Sequence, residues 1–244
     1  MKQRYFITFA YDGTAYHGWQ VQPNANTVQE ELQKALSTIL RQEVSVVGAG
    51  RTDTGVHARK MVAHFEIEGP LDGEQLTYKL NRLLPRDISV FQVEPVEEDM
   101  HARFSALART YHYYIHTRKD PFRDKYSCEI HYDFDYELMN EACKLLMEYE
   151  DFGAFCKSGS DVATTLCRIT EAFWSKDGDT TYHFRITANR FLRNMVRAIV
   201  GTLVEVGRHR ITLEEFCQVI EGGRRTDAGE SMPAHALFLE DVRY

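Results

Sequence analysis

The sequence predicts an α+β fold assembled from two ferredoxin-like halves, and three observations lead to this prediction. Short segments with alternating apolar residues, which are typical of strands, recur along the chain. Two amphipathic helical patterns separate the strands of the first half, which gives the order β-α-β-loop-β-α-β of a split β-α-β unit. The length of 244 residues suits one large domain or two small ones with a buried core.

The first half is predicted to contain four strands and two helices. Residues 4–11 alternate and end at the turn Asp12-Gly13, as a strand does. Apolar spacing predicts a helix over 27–40, with Asn26 or Thr27 as its N-cap. The remaining predicted elements are strands at 43–47, 61–67 and 88–93 and a helix at 74–84, which Pro85 ends.

The second half is predicted to repeat this plan, although no sequence repeat is visible. The acidic run Glu97-Glu98-Asp99 precedes the predicted boundary, which gives an N-terminal half of residues 1–105 and a C-terminal half of residues 106–244. The predicted strands of the second half are 110–117, 169–175, 182–188 and the final LFLEDVRY, and its predicted helices are 136–148, 191–206 and 213–221.

The composition is typical of a globular protein, with 43% hydrophobic and 27% charged residues. The start of the chain lacks the basic and apolar regions of a secretory signal, and no apolar run reaches the roughly 20 residues of a membrane-spanning helix. The five cysteines include no CxxC pair, which argues against a disulfide framework or a zinc site. These features predict a cytoplasmic protein that binds neither membrane nor metal.

The charge of the chain is unevenly distributed. Its formal net charge of −7 argues against a nucleic-acid partner, because phosphate binding depends on Lys and Arg. Residues 100–119, however, contain basic residues and no acid, and residues 185–225 contain eight arginines against four glutamates. These segments either form solvated surface or line a basic cleft for nucleic acid, and the charge pattern alone leaves both open.

The stretch GAGRTDTGVHAR at residues 48–59 presents a single carboxylate, Asp53, on a glycine-rich loop. It is not a GxxxxGK[ST] phosphate loop, and in a dinucleotide fingerprint Asp53 would replace the third glycine. Asp53 could be a turn residue that bonds its own backbone. Alternatively, Arg51 reaches the carboxylate and keeps it ionised, as a nucleophile or base requires.

No other catalytic pattern accompanies this aspartate. The sequence lacks a second acid beside Asp53, which a glycosidase would need, and it lacks a GxSxG elbow and histidines at metal-ligand spacing. The chemistry is therefore expected to depend on one aspartate and to need no cofactor. A nucleoside hydrolase or glycosidase stays open only if a distant acid or a metal site folds close to Asp53.

Two further segments could contact a nucleic acid. Tyr111 belongs to the strand pattern ARTYHYYI, and it either packs in the core or stacks on a base. In NRFLRNMVRAIVG, helical spacing places Arg190, Arg193 and Arg197 on a face apart from the apolar stripe. These arginines could be solvated, follow a phosphate groove or pair with the loop carboxylate.

Together these segments resemble the tRNA pseudouridine synthase A branch of the pseudouridine synthase family. The loop GAGRTDTGVHA resembles the signature loop of that family, and YDGTAYHGWQVQPNANTVQEEL resembles its N-terminal motif. Four later blocks match in the same order, namely HARFSALARTYHYYI, DFGAFCKSGSD, FLRNMVRAIVGTLVEVG and MPAHALFLEDV. The resemblance covers nearly the whole chain, and it departs from the family at Ala236, where we expect a glycine.

The resemblance implies a pseudouridine synthase fold. In this fold, two ferredoxin-like halves form a joined, mixed and mainly antiparallel sheet with helices on one side and a central cleft. The resemblance also implies that Asp53 attacks the target uridine and that Arg197 keeps Asp53 ionised. It further implies that Tyr111 stacks on the target base and that Arg51 occupies the place of the extracted base.

The implied reaction is the isomerisation of uridine to pseudouridine at positions 38, 39 and 40 in the anticodon arm of tRNA. The implied assembly is a homodimer, and Arg190 and Arg193 are candidates for contacts with the RNA. No cofactor is expected, because nothing is oxidised or hydrolysed overall. The alternative is a non-catalytic RNA-binding protein of the same architecture. The Arg51–Asp53 pair argues against it, because phosphate binding would not favour a carboxylate in the groove.

Overall fold

The computed structural model describes residues 2–160 and 162–244. Its strands pair mainly antiparallel and alternate along the chain with helices, which confirms the predicted α+β class. Within the described residues the strands are β1 (Lys2–Tyr11), β2 (Val47–Gly48), β3 (His57–Glu68), β4 (Ile88–Val96), β5 (Ala108–His116), β6 (Cys128–Glu129), β7 (Ile169–Gly178), β8 (Thr181–Ala188) and β9 (Leu237–Arg243). The helices are α1 (Val28–Leu40), α2 (Gly73–Leu83), α3 (Tyr136–Leu146), α4 (Met195–Gly207) and α5 (Leu213–Gly222).

The chain folds as two compact units. The first comprises the chain up to Leu107 together with Leu239–Tyr244, and the second comprises Ala108–Phe238. Each unit buries large apolar side chains of its own and so has its own core. These include Phe9, Leu36 and Phe65 in the first unit and Phe152, Phe184 and Phe216 in the second.

In the first unit, the strands lie in the order β4-β1-β3, and β2 pairs with β3. This is the strand order of a split β-α-β unit, in which each crossover contains a helix. Tyr5 of the central strand β1 lies opposite Phe65 of β3 and Pro95 of β4. The helix α1 begins after Thr27, whose hydroxyl oxygen accepts a hydrogen bond from the backbone of Glu30 at 3.3 Å. Of the two predicted N-cap candidates, Asn26 and Thr27, the cap is therefore Thr27.

The strand β2 is shorter than predicted. The sequence predicts a strand over 43–47, whereas β2 contains only two residues. Val44 N donates to Ser37 Oγ, and Val46 N donates to Gln33 Oε1, both at 3.0 Å. Side chains of α1 therefore satisfy the backbone donors that a longer strand would use for pairing.

The last residues of β9 complete the first unit. Lys60 Nζ donates to Asp241 Oδ1 at 2.7 Å, and the hydroxyl of Tyr244 donates to Ala102 O at 2.7 Å. Residues 239–244 therefore belong to the same unit as β1 and β3, although more than a hundred residues separate them in sequence.

In the second unit, the strands lie in the order β5-β8-β7, and β6 pairs in parallel with β5. Tyr111 of β5 lies opposite Ile186 of β8. Asp135 caps α3 through its side chain, and a capping box of Thr212 and Glu215 begins α5. The sequence did not predict β6, because two residues are too few to show an alternating pattern.

The helix α4 begins later than predicted. The spacing predicts a helix over 191–206, whereas α4 begins at Met195. Asn194, which precedes it, adopts the left-handed conformation with φ of 66°. The prediction of a helical start at Phe191 is therefore wrong, because apolar spacing does not reveal a left-handed residue.

The segment that leads into β9 accommodates Ala236 in an ordinary backbone conformation. Ala236 is buried at the end of the short 3-10 helix Ala234–Ala236. It is not among the described residues with positive φ. An alanine therefore fits where the resemblance leads us to expect a glycine.

None of the described helices is both long and apolar enough to cross a membrane. The five cysteines are free thiols. The fold of the described residues therefore rests on packing, hydrogen bonds and ion pairs rather than on disulfides.

Candidate functional site

The loop between β2 and β3 presents Asp53. Asp53 is half-buried, Thr52 before it is buried, and Arg51 is exposed. A turn follows, in which Val56 N donates to Asp53 O at 3.1 Å and Gly55 has a φ of 77°. This hydrogen bond uses the main-chain oxygen of Asp53. A role in the turn and a chemical role of the carboxylate are therefore compatible.

The segment between β1 and α1 holds this loop through backbone hydrogen bonds. Trp19 N donates to Thr52 O, and Gly55 N donates to Tyr16 O, both at 3.3 Å. The N-terminal motif and the aspartate loop, which are far apart in sequence, therefore form one local structure. The position of Asp53 depends on this structure and not on its own sequence neighbours alone.

Two glycines allow the close approach of these segments. Gly18 has a φ of 88°, and a Cβ atom added to it would lie 2.3 Å from Thr52 O. A Cβ atom on Gly48 would lie 2.6 Å from the indole ring of Trp19. A side chain at either position would displace the loop, because real Cβ atoms do not approach other atoms so closely.

Side chains anchor the loop on both sides of Asp53. The hydroxyl groups of Tyr11 and Thr52 lie 2.8 Å apart in a buried hydrogen bond. His57 Nδ1 accepts a hydrogen bond from Gly13 N at 3.0 Å, and His57 is buried. These contacts hold the backbone before and after Asp53 and so limit the positions that its side chain can take.

Tyr16 lies in the segment between β1 and α1 and donates a hydrogen bond that supports this segment. Its hydroxyl donates to Asp87 Oδ1 at 2.6 Å. Burial of the ring, followed by the hydrogen bond and charge of Asp87, raises the pKa of Tyr16 well above its ordinary value. Tyr16 therefore stays protonated at neutral pH and does not act as a base.

In the second unit, Tyr111 lies on β5 and is buried. Its ring packs against Phe191, with ring centroids 5.2 Å apart and an interplanar angle of 87°. Tyr113 lies two residues along the strand, where its hydroxyl donates to Pro233 O at 3.0 Å. Burial raises the pKa of Tyr113 well above its ordinary value. Edge-to-face packing thus fixes the ring of Tyr111, and Tyr113 stays a buried, protonated donor.

Arg197 lies in the first turn of α4 and is half-buried. Its Nε donates to Met232 O at 2.6 Å, and Met232 N donates to Arg197 O at 3.1 Å. Met232 therefore binds both the guanidinium group and the backbone of the arginine. This pair of bonds fixes the direction of the positive charge.

The segment around Met232 packs closely on α4. A Cβ atom on Gly201 would lie 1.8 Å from Glu230 O. Gly229 N donates to Thr202 Oγ1 at 2.9 Å. We call residues 229–232 the α4 strap, because they lie along the helix and bind Arg197 at its start.

Arg190 and Arg193 do not share a helical face with Arg197. Both precede α4, because the helix begins only after the left-handed Asn194. Arg190 Nη1 donates to Thr164 O at 3.2 Å, and Arg193 is exposed. The predicted helical stripe of three arginines is therefore wrong, and only Arg197 lies on the helix.

The candidate residues fall in two groups. Arg51 and Asp53 lie in the first unit, and Tyr111 and Arg197 lie in the second, as do the arginines before α4. The backbone beside Asp53 and the guanidinium group of Arg197 are each held by segments far along the chain. The sequence pattern does not reveal these supports, although they lie in blocks that carry the family resemblance. The supporting residues are Tyr11, Gly18, Trp19, His57 and Met232.

The two groups contain side chains with different chemical capacities. Asp53 supplies a carboxylate on an anchored loop, and Arg197 supplies an oriented positive charge. Tyr111 supplies an aromatic ring with a fixed plane. Such groups can act as a nucleophile or base, an electrostatic partner and a stacking surface.

The chain matches one family model over most of its length. The model describes the tRNA pseudouridine synthase family, and it matches residues 7–105 and 142–244. These ranges include the Asp53 loop, all of α4 and the strap. The match therefore covers elements of both units that support the candidate residues.

Curated relatives match over nearly the whole chain. A protein of Bacteroides thetaiotaomicron named tRNA pseudouridine synthase A is 59% identical, with 99% of this chain and 91% of that protein covered. The protein of the same name from Bacteroides fragilis is 56% identical, with 99% and 96% covered. That of Acetivibrio thermocellus is 40% identical, with 98% of each chain covered.

Proposed function

The chain belongs to the tRNA pseudouridine synthase family, and from this membership we propose that it isomerises uridine to pseudouridine at positions 38, 39 and 40 of the anticodon stem-loop of tRNA. The family name identifies an isomerase that acts on tRNA. The particular uridines and the roles of individual residues are our proposal. The observation that carries this proposal is that the N-terminal motif holds the Asp53 loop in place.

The reaction places few demands on the protein. The C1′–N1 bond of the nucleotide breaks, the same base turns, and a C1′–C5 bond forms. The proton on C5 is lost and N1 gains one, so nothing is oxidised or hydrolysed overall. The reaction needs an oriented carboxylate, a pocket that retains the base and an acceptor for the C5 proton. We therefore propose that the reaction uses no metal or other cofactor.

Asp53 is the proposed nucleophile or base. Its loop is anchored by Thr52 and His57 on either side, so the carboxylate needs little reordering when the substrate binds. Arg197 is its proposed electrostatic partner, which keeps the carboxylate ionised. The hydrogen bond from Arg197 to Met232 supports this role, because it fixes the direction of the guanidinium group.

Tyr111 is proposed to stack on the target base and to assist proton transfer. Its edge-to-face contact with Phe191 fixes the plane of the ring, which suits stacking. Arg51 is proposed to occupy the place of the extracted base, because it is exposed two residues before Asp53. Extraction of a base costs a few kcal/mol, and a side chain in its place offsets part of this cost.

Arg190 and Arg193 are proposed to contact the RNA backbone. They lie in a segment with eight arginines against four glutamates between residues 185 and 225, which favours a phosphate-binding surface. We also propose that the active assembly is a homodimer in the cytoplasm, as the resemblance implies. Because arginines bind the phosphates in this proposal, the tRNA affinity should fall with rising salt concentration.

The substitution Asp53→Asn separates catalysis from binding. It removes the ionisable carboxylate and keeps the shape of the side chain. The rate of pseudouridine formation should fall at least about a thousandfold, because the variant lacks its nucleophile or base. The tRNA affinity should stay within about threefold, because the arginines remain. Tritium release from tRNA labelled at uridine C5 measures the rate, and filter binding measures the affinity.

The matched control is Asp99→Asn, which makes the same change of charge at an exposed residue. This control should keep full activity. Full activity of Asp53→Asn would refute the proposed mechanism. Transcripts that carry uridine at only one of the three positions test the choice of substrate, and tritium release from none of them would refute it.

A further inference from the structure

The end of β5 and the loop that follows it bring together three potential metal ligands. His116, Asp124 and Glu129 each place a ligand atom within 4.8 Å of the other two. All three belong to the second unit. From this cluster and the state of the histidine, we propose that these residues form a binding site for a divalent transition-metal ion of the zinc type.

His116 has the features of a metal ligand. The residue is fully buried, and its Nδ1 lies 3.0 Å from Ser127 Oγ. Its Nε2 is buried without a hydrogen-bond partner among the described residues. Metal-binding histidines commonly use one ring nitrogen for the ion and the other for an orienting hydrogen bond. An ion on Nε2 would satisfy a polar atom that otherwise stays unpaired.

The backbones of His116 and Glu129 are held next to each other, and Asp124 lies in the loop between them. His116 and Glu129 are register partners in the parallel pair of β5 and β6, and Ile130 N donates to His116 O at 2.9 Å. Asp124 lies in a turn, where its backbone N donates to Asp120 O at 3.1 Å. The pairing of β5 and β6 therefore brings two of the three ligands together.

The ligand atoms are spaced so that a small movement of each toward a common centre would allow them to bind an ion. The three ligand atoms lie within 4.8 Å of one another. By geometry, a central point therefore exists that is no more than about 2.8 Å from each of them. Zinc binds histidine nitrogen and carboxylate oxygen at about 2.0–2.2 Å, so each ligand would move by less than about 1 Å. The exposed Asp124 can make such a movement by rotation of its side chain.

The chemistry of the ligands selects the class of ion. An imidazole favours zinc and its neighbours over magnesium, and two carboxylates neutralise a divalent charge. Water would fill the remaining coordination position.

The proposed metal site is separate from the residues of the proposed reaction. His116 lies five residues beyond Tyr111 on the same strand, or about 17 Å along it. The spacing of the three ligands in the chain matches no common metal motif, so the sequence led us to expect no metal. An ion there would link the β5–β6 loop to the end of β5 and stabilise the second unit.

Binding of zinc chloride to the full chain tests this proposal. Isothermal titration should show a zinc site with a Kd in the micromolar range, and zinc should raise the melting temperature. Asp124→Asn and Glu129→Gln should each lower the affinity at least about tenfold and remove the rise in melting temperature. Both residues lie outside the core, so these variants should fold. His116→Asn should abolish binding if it folds.

The matched control is Asp133→Asn, which removes the same charge from an exposed residue outside the cluster and should leave zinc affinity unchanged. His131→Asn is a second control, because His131 Nδ1 lies 3.6 Å from Glu129 Oε1. Zinc affinity unchanged by both carboxylate variants, or lost in His131→Asn, would overturn the proposed ligand set. Equal affinity for magnesium would overturn the proposed class of ion, and an absence of zinc binding would overturn the site.

Discussion

The Asp53 loop and the first turn of α4 are held in place by different means. The loop is irregular. Its backbone donates a hydrogen bond to Tyr16 O and accepts one from Trp19 N, and the hydroxyls of Tyr11 and Thr52 form a buried hydrogen bond. Arg197 lies on a regular helix, and a separate strap needs to orient only its guanidinium group. The Asp53 loop therefore has several long-range contacts, whereas the contacts described for Arg197 come from α4 and the strap.

Because of this difference, we expect substitutions at the two regions to differ in their effects on stability and catalysis. A change that pushes the supporting segment away from the Asp53 loop should affect both stability and catalysis strongly. A substitution in α4 at its contact with the strap should affect stability less, because α4 keeps its own backbone hydrogen bonds. Glycines at both contacts provide matched tests of this expectation.

The largest effect is expected for Gly18→Ala. The added Cβ atom would lie 2.3 Å from Thr52 O, and alanine disfavours the observed φ of 88°. The free energy of unfolding should fall by about 3 kcal/mol or more, through strain and loss of packing. The rate of pseudouridine formation should also fall, because the backbone beside Asp53 moves. Urea unfolding and tritium release measure the two effects.

Gly50→Ala is the matched control in the same loop. Among the described residues, no atom beyond Gly50 and its two chain neighbours lies within 4 Å of the added Cβ. The free energy of unfolding should change by no more than about 0.5 kcal/mol. Equal effects of the two substitutions would show that close approach to Gly18 does not hold the loop.

The next effect is expected for Gly201→Ala, which pushes the strap away from α4. The added Cβ atom would lie 1.8 Å from Glu230 O. Because Glu230 O is a backbone atom, rotation of a side chain cannot relieve this clash. The free energy of unfolding should fall by about 2 kcal/mol, because the gain in helix propensity is only about 1 kcal/mol. Activity should fall with it, since the strap orients Arg197.

Gly222→Ala at the end of α5 is the control for helix propensity. Its added Cβ would meet only Asp227 Oδ2, at an ordinary contact distance of 3.6 Å. This variant should be neutral or slightly more stable. If Gly201→Ala is equally stable and fully active, then the strap is not a rigid support for Arg197.

The smallest effect concerns the pH dependence of the first unit. Burial, followed by the charges of His101 and Arg4, lowers the pKa of His64 to about 4, while Glu66 opposes the shift. His64 lies opposite Val47, next to the Asp53 loop. Because the unfolded chain binds a proton near pH 6.5, the stabilisation is present above that pH and is lost as the pH falls toward 4. The expected loss between pH 7 and pH 5 is up to about 2 kcal/mol.

The variant His64→Asn isolates this contribution, because its side chain can still accept the bond that Ala102 N donates to His64 Nδ1 at 3.1 Å. The difference in free energy of unfolding between the variant and the original chain should shrink as the pH falls from 7 to 5. A difference for His64→Asn that stays constant over this pH range would contradict the lowered pKa.

The elements with a clear repeat pattern could be predicted from the sequence. The strand β1 and the helix α1 were predicted because apolar residues recur at the spacing that burial of one face requires. The prediction of α4 failed at its start, because a single left-handed residue at Asn194 interrupts a continuous apolar pattern. The prediction of β2 failed because side chains of α1 take its backbone donors.

The candidate residues could be named from the sequence, but their supports could not. Asp53 stands out as a lone acid between glycines, and the family blocks point to Tyr111 and Arg197. Nothing in the local pattern shows that Met232 binds Arg197 or that Gly18 meets Thr52. These contacts join segments far apart in the chain, and a periodic pattern carries no information about such partners.

The position of residues 239–244 in the first unit has a consequence for protein synthesis. The ribosome makes β1, β3 and the Asp53 loop early, but the first unit stays incomplete until these residues emerge. Until then Lys60 lacks its partner Asp241, and β3 lacks its neighbour β9. An unpaired strand edge of this kind invites association with other chains. A chain cut short before Leu239 should therefore be a target for chaperones and proteases, although it already contains Asp53.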